Sequence, residues 1–257
     1  MKIFTDPYPV IGMIHLDAQE GTPGFAGYKT MTEHTQQDIG ALQEGGISAI
    51  MLENDNDKPY SEFISDRQYE SMSRLSDSVR NLITVPLGYT ILLNDWKAAL
   101  RLAAGFGAAF IRLDTFVDTV KRVDDGIVID PDPEEIIDFR DRICPDVLVF
   151  TDVHVKHTTM VDTARTLEQS VADAIAAGSD GIVVTGSWTG SQPDLDELNR
   201  VRRAVNGKVP VLIGSGMNAG NAALLKTYSD GAIVGSSLKS GDRIDPDNVR
   251  ALMSALA

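Results

Sequence analysis

Short apolar runs alternate with amphipathic segments along the whole chain. The runs are PVIGMIHL (9–16), ISAIMLEN (47–54), VPLGYTILL (85–93), AAFIRLD (108–114), VLVFTDVHV (147–155), DGIVVTG (180–186), VPVLIGSG (209–216) and DGAIVGSS (230–237). Between and after them, segments near 30–45, 60–81, 95–105, 132–142, 163–177, 194–205, 218–227 and 246–256 space their apolar residues as helices do. Near-continuous apolar strands, each followed by a helix, predict a parallel sheet covered by helices. Eight such units in 257 residues match an α/β (β/α)8 TIM barrel in count and size. A doubly wound open sheet is the alternative architecture. No Ser/Pro-rich linker divides the chain, so 1–257 reads as one domain.

Local punctuation agrees with these boundaries. Asp194 followed by Glu197 predicts a capped helix start resembling a capping box, and Gly178 and Gly207 stand where helices stop. The stretch 115–131, TFVDTVKRVDDGIVIDP, exceeds an ordinary strand-to-helix link and predicts an active-site flap or a subunit contact.

Composition then narrows the function classes. With 43% hydrophobic and 23% charged residues the chain can pack a large core, and disorder is not expected. Lys and Arg total 23 against 37 Asp and Glu, a net charge of −14. That argues against nucleic acid or an anionic membrane as partner, because both need a basic surface; it also fits a salt-adapted host. The single cysteine, Cys144, forms no intrachain disulfide and no cysteine-rich zinc motif, in keeping with a reducing compartment. The start, MKIFTDPYPV, lacks the features of a signal peptide, and no apolar stretch approaches membrane-spanning length. The expectation is a cytoplasmic protein without direct membrane insertion, and homo-oligomeric by barrel habit.

In a TIM barrel the chemistry sits at the C-terminal ends of the strands. Here those ends carry His15 and Asp17; Glu53, Asn54 and Asp55; Asn94 and Asp95; Arg112 and Asp114; and Asp152, His154, Lys156 and His157. Asn54, Asn94 and Asp95 suit turns and caps as well as ligands. Glu53 continues the alternation of Ile47, Ala49 and Met51, so an inward carboxylate there would need a partner. Arg112 could pair with Asp114, Glu53 or Asp152. In TDVHVKH (151–157), strand alternation would send Asp152, His154 and Lys156 to one face. That grouping offers an acid, a base and a cation to the barrel mouth, or else a self-satisfied polar cluster.

The last strands end in glycine and serine: Thr185-Gly-Ser187, Gly214-Ser215-Gly216 and Gly235-Ser236-Ser237. Glycine lets the backbone approach an anion and serine adds a hydroxyl donor, so the paired turns after strands seven and eight predict a phosphate site.

Together these pieces resemble the BtpA/SgcQ family of TIM-barrel proteins over nearly the whole chain. The resemblance rests on Ile11-Gly-Met-Ile-His15-Leu16, Glu53-Asn54, Leu93-Asn-Asp95, Phe110-Ile-Arg112, Asp152 to His157, Thr185-Gly186 with Gly190, Gly214-Ser-Gly216 through Asn221, and Asp230 through Lys239. One departure is the first loop, Asp17 to Gly24, where the family usually carries a proline-rich segment. The resemblance implies a ribulose-phosphate-binding-barrel-like fold and a link to photosystem I biogenesis. It supplies no established reaction.

Three functions compete. An enzyme acting on a small phosphorylated substrate, a sugar phosphate or nucleotide-related compound, would use Lys156 to polarise a carbonyl or form a Schiff base. His154 would then move protons and Asp152 orient it, in isomerase or lyase chemistry; hydrolysis would use Asp152 or Glu53 to activate water. A divalent metal held by His15, His154, His157, Asp152 and Glu53 is a second scheme, although their spacing matches no local metal motif and no cofactor is established. The third is a noncatalytic assembly factor, which would expose an apolar patch on 115–131. Buried acid–histidine–lysine groupings favour the enzyme.

Overall fold

The computed structural model describes residues 3–155, 157–186 and 192–257. Among them, eight parallel strands close into a barrel: β1 Val10–His15, β2 Ala49–Glu53, β3 Leu87–Thr90, β4 Phe110–Leu113, β5 Leu148–Asp152, β6 Gly181–Val184, β7 Val211–Ile213 and β8 Gly231–Val234. Each strand pairs with the next, and β8 returns to β1 with Val10 opposite Ala232. The helices are α1 Tyr28–Glu44, α2 Asp66–Val79, α3 Trp96–Phe106, α4 Pro133–Ile143, α5 Leu167–Ala176, α6 Leu195–Val205, α7 Ala222–Lys226 and α8 Pro246–Leu256.

The helix starts follow from local chemistry. Asp194 caps α6 by accepting from the amides of Asp196 and Glu197, whereas reciprocal capping boxes form at Ser65–Gln68 and Thr166–Gln169. Helix α6 ends at Asn206 in the left-handed region, and Gly207 follows it.

Strand alternation divides the core in two. One cluster fills the barrel interior with Ile11 and Met13, Ala49 and Met51, Phe110, Phe150, Val183, Leu212 and Ile233, closed from below by Phe4. The other lies between strands and helices, built on residues of opposite phase such as Ile14, Leu52, Ile111, Val149 and Ile213. Inside, the Phe110 and Phe150 rings pack at a tilt of 36° with centroids 5.4 Å apart. Gly88 makes room for them, since a Cβ there would meet the Phe110 ring at 2.1 Å. Burying an aromatic side chain of this kind contributes about 1.5–3 kcal/mol.

The long connection after β4, called the flap below, carries a small antiparallel sheet. Val120–Arg122 pairs antiparallel with Val128–Ile129 on one side and Thr158–Met160 on the other. Val120 and Ile129 pack with Leu93 in a small core of their own, flanked by Tyr60 and Met160. The opposite phase leaves Val123, Val128 and Val161 exposed. Among the described residues no helix is long and apolar enough to cross a membrane.

Candidate active site

The polar residues at the barrel mouth continue the phase of the barrel interior. On β1 the series Ile11, Met13 ends in His15; on β2, Ala49 and Met51 lead to Glu53; on β4 and β5, Phe110 and Phe150 lead to Arg112 and Asp152. The same step carries β6 to Thr185, β7 to Gly214 and β8 to Gly235. A layer of charge therefore lies directly on an apolar plug.

Two contacts organise that layer. His15 and Glu53 are opposite each other in the β1–β2 register, and His15 Nε2 lies 3.3 Å from Glu53 Oε2. Arg112 donates through Nε and Nη2 to both carboxylate oxygens of Asp152, at 2.8 and 2.7 Å, with both side chains almost wholly buried. Burial alone would lower the Arg112 pKa, but the Asp152 carboxylate, helped by Asp114 and Glu53, holds it above its ordinary value. Of the partners open to Arg112 in the sequence, Asp152 is the one that accepts this pair of hydrogen bonds.

His15, Glu53 and Arg112 line a cavity of about 310 Å³ whose other wall is the turns after β7 and β8: Gly214 to Asn218 and Gly235 to Ser237. The Ser215 hydroxyl accepts the Gly186 amide at 3.0 Å, and the Ser237 hydroxyl donates to the Met217 carbonyl at 2.7 Å, so the turns brace one another. Gly235 is fixed by proximity: a Cβ there would stand 2.6 Å from His15 Cε1. Thr185 is buried beside Gly214, and its hydroxyl has no hydrogen-bond partner among the described residues.

A second cavity, of about 320 Å³, opens from the same three residues toward the flap. Arg122, Asp124 and Ile129 of the flap, Tyr60 of the β2 loop, and His157 border it. The Tyr60 hydroxyl donates to the Asp55 carbonyl; burial, then the charges of Asp55 and Glu53, raises its pKa. Tyr60, Lys58 and Arg122 are site-lining residues that sequence reasoning missed: Tyr60 and Lys58 come from a loop whose side-chain directions no periodicity fixes, and Arg122 from a short strand whose partners are distant in sequence.

Three expectations need correction. Strand β5 ends at Asp152, and His154 turns into the left-handed region at φ 49°, so Asp152 and His154 do not share a face. His154 lines neither cavity. Its charged neighbours are Asp118, Arg200, Glu168 and Arg165, and burial pulls its pKa down. Asn94 also lines neither cavity: its amide bonds Thr115 in both directions, at 2.9 and 3.2 Å, and anchors the root of the flap. Similarly, Asn54 staples the β2 loop to Leu92, and Asp95 caps α3. Of the five metal-ligand candidates His15 and Glu53 meet, but among the described residues no three His, Cys, Asp or Glu side chains form a group able to hold a metal ion. Lys156, Ser187 and Gly190 lie outside the described residues.

Comparison with protein-family models matches residues 7–257 to the BtpA family. The chain belongs to the BtpA family. A BtpA-family relative, the photosystem I biogenesis protein BtpA of Synechocystis, is 35% identical over 263 residues, covering 100% of this chain and 90% of that protein. An uncharacterized protein of Pyrococcus horikoshii is 38% identical over 237 residues, 91% of this chain and 89% of that one. The BtpA-family barrel also resembles N-(5'-phosphoribosyl)anthranilate isomerase from Pyrococcus furiosus, with a TM-score of 0.58, 14% identity, and coverage of 97% and 98%. That likeness establishes the α/β barrel fold.

Proposed function

We propose that this chain is an enzyme acting on a small phosphorylated substrate. The phosphate rests on the turns after β7 and β8, and the reacting carbon stands over His15, Glu53 and Arg112. One observation carries the reading: a single cavity is walled on one side by glycine-serine turns and floored by an acid–imidazole pair 3.3 Å apart. Backbone N–H groups in such turns suit an anion, and the binding energy of a non-reacting phosphate positions the rest of the molecule. The isomerase that shares the fold has a phosphoribosyl compound in its name, which supports the same direction.

The pair suits proton transfer beside a carbonyl. Glu53 takes the proton from carbon, His15 delivers one to the neighbouring position or to oxygen, and Arg112 faces the charge that develops on the carbonyl oxygen. Because Asp152 holds Arg112 through two hydrogen bonds, that cation is set before substrate arrives. This is isomerase or lyase chemistry; hydrolysis with Glu53 activating water would use the same groups.

The test is a panel of aldose and ketose monophosphates incubated in D2O and followed by NMR. Deuterium should enter beside the carbonyl of at least one compound, and Glu53→Gln should slow entry by about 10²–10⁴-fold. Exchange that survives both Glu53→Gln and His15→Asn would overturn the assignment. A panel in which nothing binds or exchanges would favour the second reading, an assembly role, which draws on the name of the Synechocystis relative and on the exposed flap valines Val123, Val128 and Val161.

A further inference from the structure

The two cavities meet at His15, Glu53 and Arg112 but differ in chemistry. On the phosphate side, Glu53 at the junction is the one carboxylate among the described lining residues, which are otherwise rich in glycine, serine and apolar side chains. On the flap side four carboxylates face the space: Glu53, Asp55, Asp114 and Asp124. Among the described residues three Lys and Arg side chains, Lys58, Arg112 and Arg122, share that lining, and each of the three stands beside a carboxylate. Arg112 is bound to Asp152, Arg122 to Asp125 at 3.0 Å, and Lys58 stands 3.8 Å from Asp55. Leu92, Leu93, Ile129 and Val155 supply an apolar part of the wall, and Tyr60, Thr115, His157 and Thr158 add polar side chains.

The placement of these groups follows from strand phase and from the flap. Asp114 directly follows β4, two residues beyond Arg112, and borders the cavity. In the flap sheet, Val120, Arg122, Ile129, Thr158 and Met160 share one phase; Arg122, Ile129 and Thr158 border the cavity, while Val120, Ile129 and Met160 build the small core. The lobe is therefore a formed space with its own packed roof.

From this we infer that the substrate has two unlike ends: a phosphate on the β7–β8 side and, under the flap, a neutral, hydroxyl-bearing carbon skeleton, with Asp114 and Asp124 selecting against a second anion. Carboxylates only accept hydrogen bonds, so their complement is a donor such as a hydroxyl, while the leucine and isoleucine wall takes the carbon frame. A second phosphate or carboxylate would enter beside like charge, the kind of juxtaposition that excludes a wrong ligand. The inference rests on the phosphate reading above and deepens it by naming the substrate class.

The experiment measures binding of three probes by calorimetry: inorganic phosphate, fructose 6-phosphate and fructose 1,6-bisphosphate. The expected order places the monophosphate at least tenfold tighter than the bisphosphate. Asp114→Asn should narrow that gap at least fivefold and leave inorganic phosphate binding unchanged. Bisphosphate binding as tight as monophosphate in the wild-type protein would overturn the inference while phosphate binding still upholds the anion site. Failure of all three probes to bind would overturn both. The wild-type comparison decides the matter even if the variant does not fold.

Discussion

The two sides of the barrel mouth are built by different means. His15, Glu53, Arg112 and Asp152 are carried in the phase of regular strands and Gly214 and Gly235 directly follow theirs, each two residues above a member of the interior core. The flap side is assembled from the connections between barrel strands: Tyr60 after β2, Arg122 and Ile129 in the small antiparallel sheet after β4, and His157 after β5. Where hydrogen-bonded pairing persists, a period of two fixes the direction of a side chain. Once pairing stops, direction depends on turns and on long-range packing.

The largest effect should come from breaking the charge pair on the strand-built side. Asp152→Ala leaves Arg112 buried without its partner and should cost about 3–5 kcal/mol in urea unfolding, whereas the double replacement Arg112→Met with Asp152→Leu should recover much of that loss. Next, Gly235→Ala drives a methyl group against His15 and should cost about 1–3 kcal/mol, with turnover falling more than phosphate binding. On the loop-built side, Ile129→Val should cost about 0.5–1.5 kcal/mol and speed amide exchange in 120–129, leaving barrel-strand amides protected. Equal loss of protection in the barrel would break the contrast.

The smallest effect concerns His154. Its folded pKa is depressed by burial, so its neutral form is favoured in the native state. That contribution is fully present above the unfolded value near 6.5 and is lost as pH falls from there through the depressed folded value. His154→Gln should therefore flatten the acid limb of a stability–pH profile. An unchanged limb would remove His154 from the protein's acid response.

The same contrast explains what was legible in the sequence. Eight apolar runs gave the barrel, and the residues ending them gave His15, Glu53, Arg112 and the glycine-serine turns. Extending strand phase through TDVHVKH misplaced His154, because β5 stops at Asp152 and the chain turns at positive φ. Asn94 was ambiguous for a physical reason: an amide able to bind a ligand is equally able to bond both backbone groups of Thr115. The length of 115–131 announced a flap or a subunit contact, but the pairing of Val120–Arg122 with Thr158–Met160, where Arg122 lies opposite Thr158 and Val120 opposite Met160, lies outside local pattern. Tyr60 owes its place to packing against that flap.

The most direct test of the central claim is thermal unfolding in the presence of sugar phosphates and of the same sugars without phosphate, each with and without magnesium. A phosphorylated ligand at a hundred times its dissociation constant should stabilise the native protein by about 2.7 kcal/mol, and its unphosphorylated counterpart should leave the transition unmoved. Equal shifts from both members of a pair, or none from any phosphorylated compound, would contradict a phosphate site on the β7 and β8 turns.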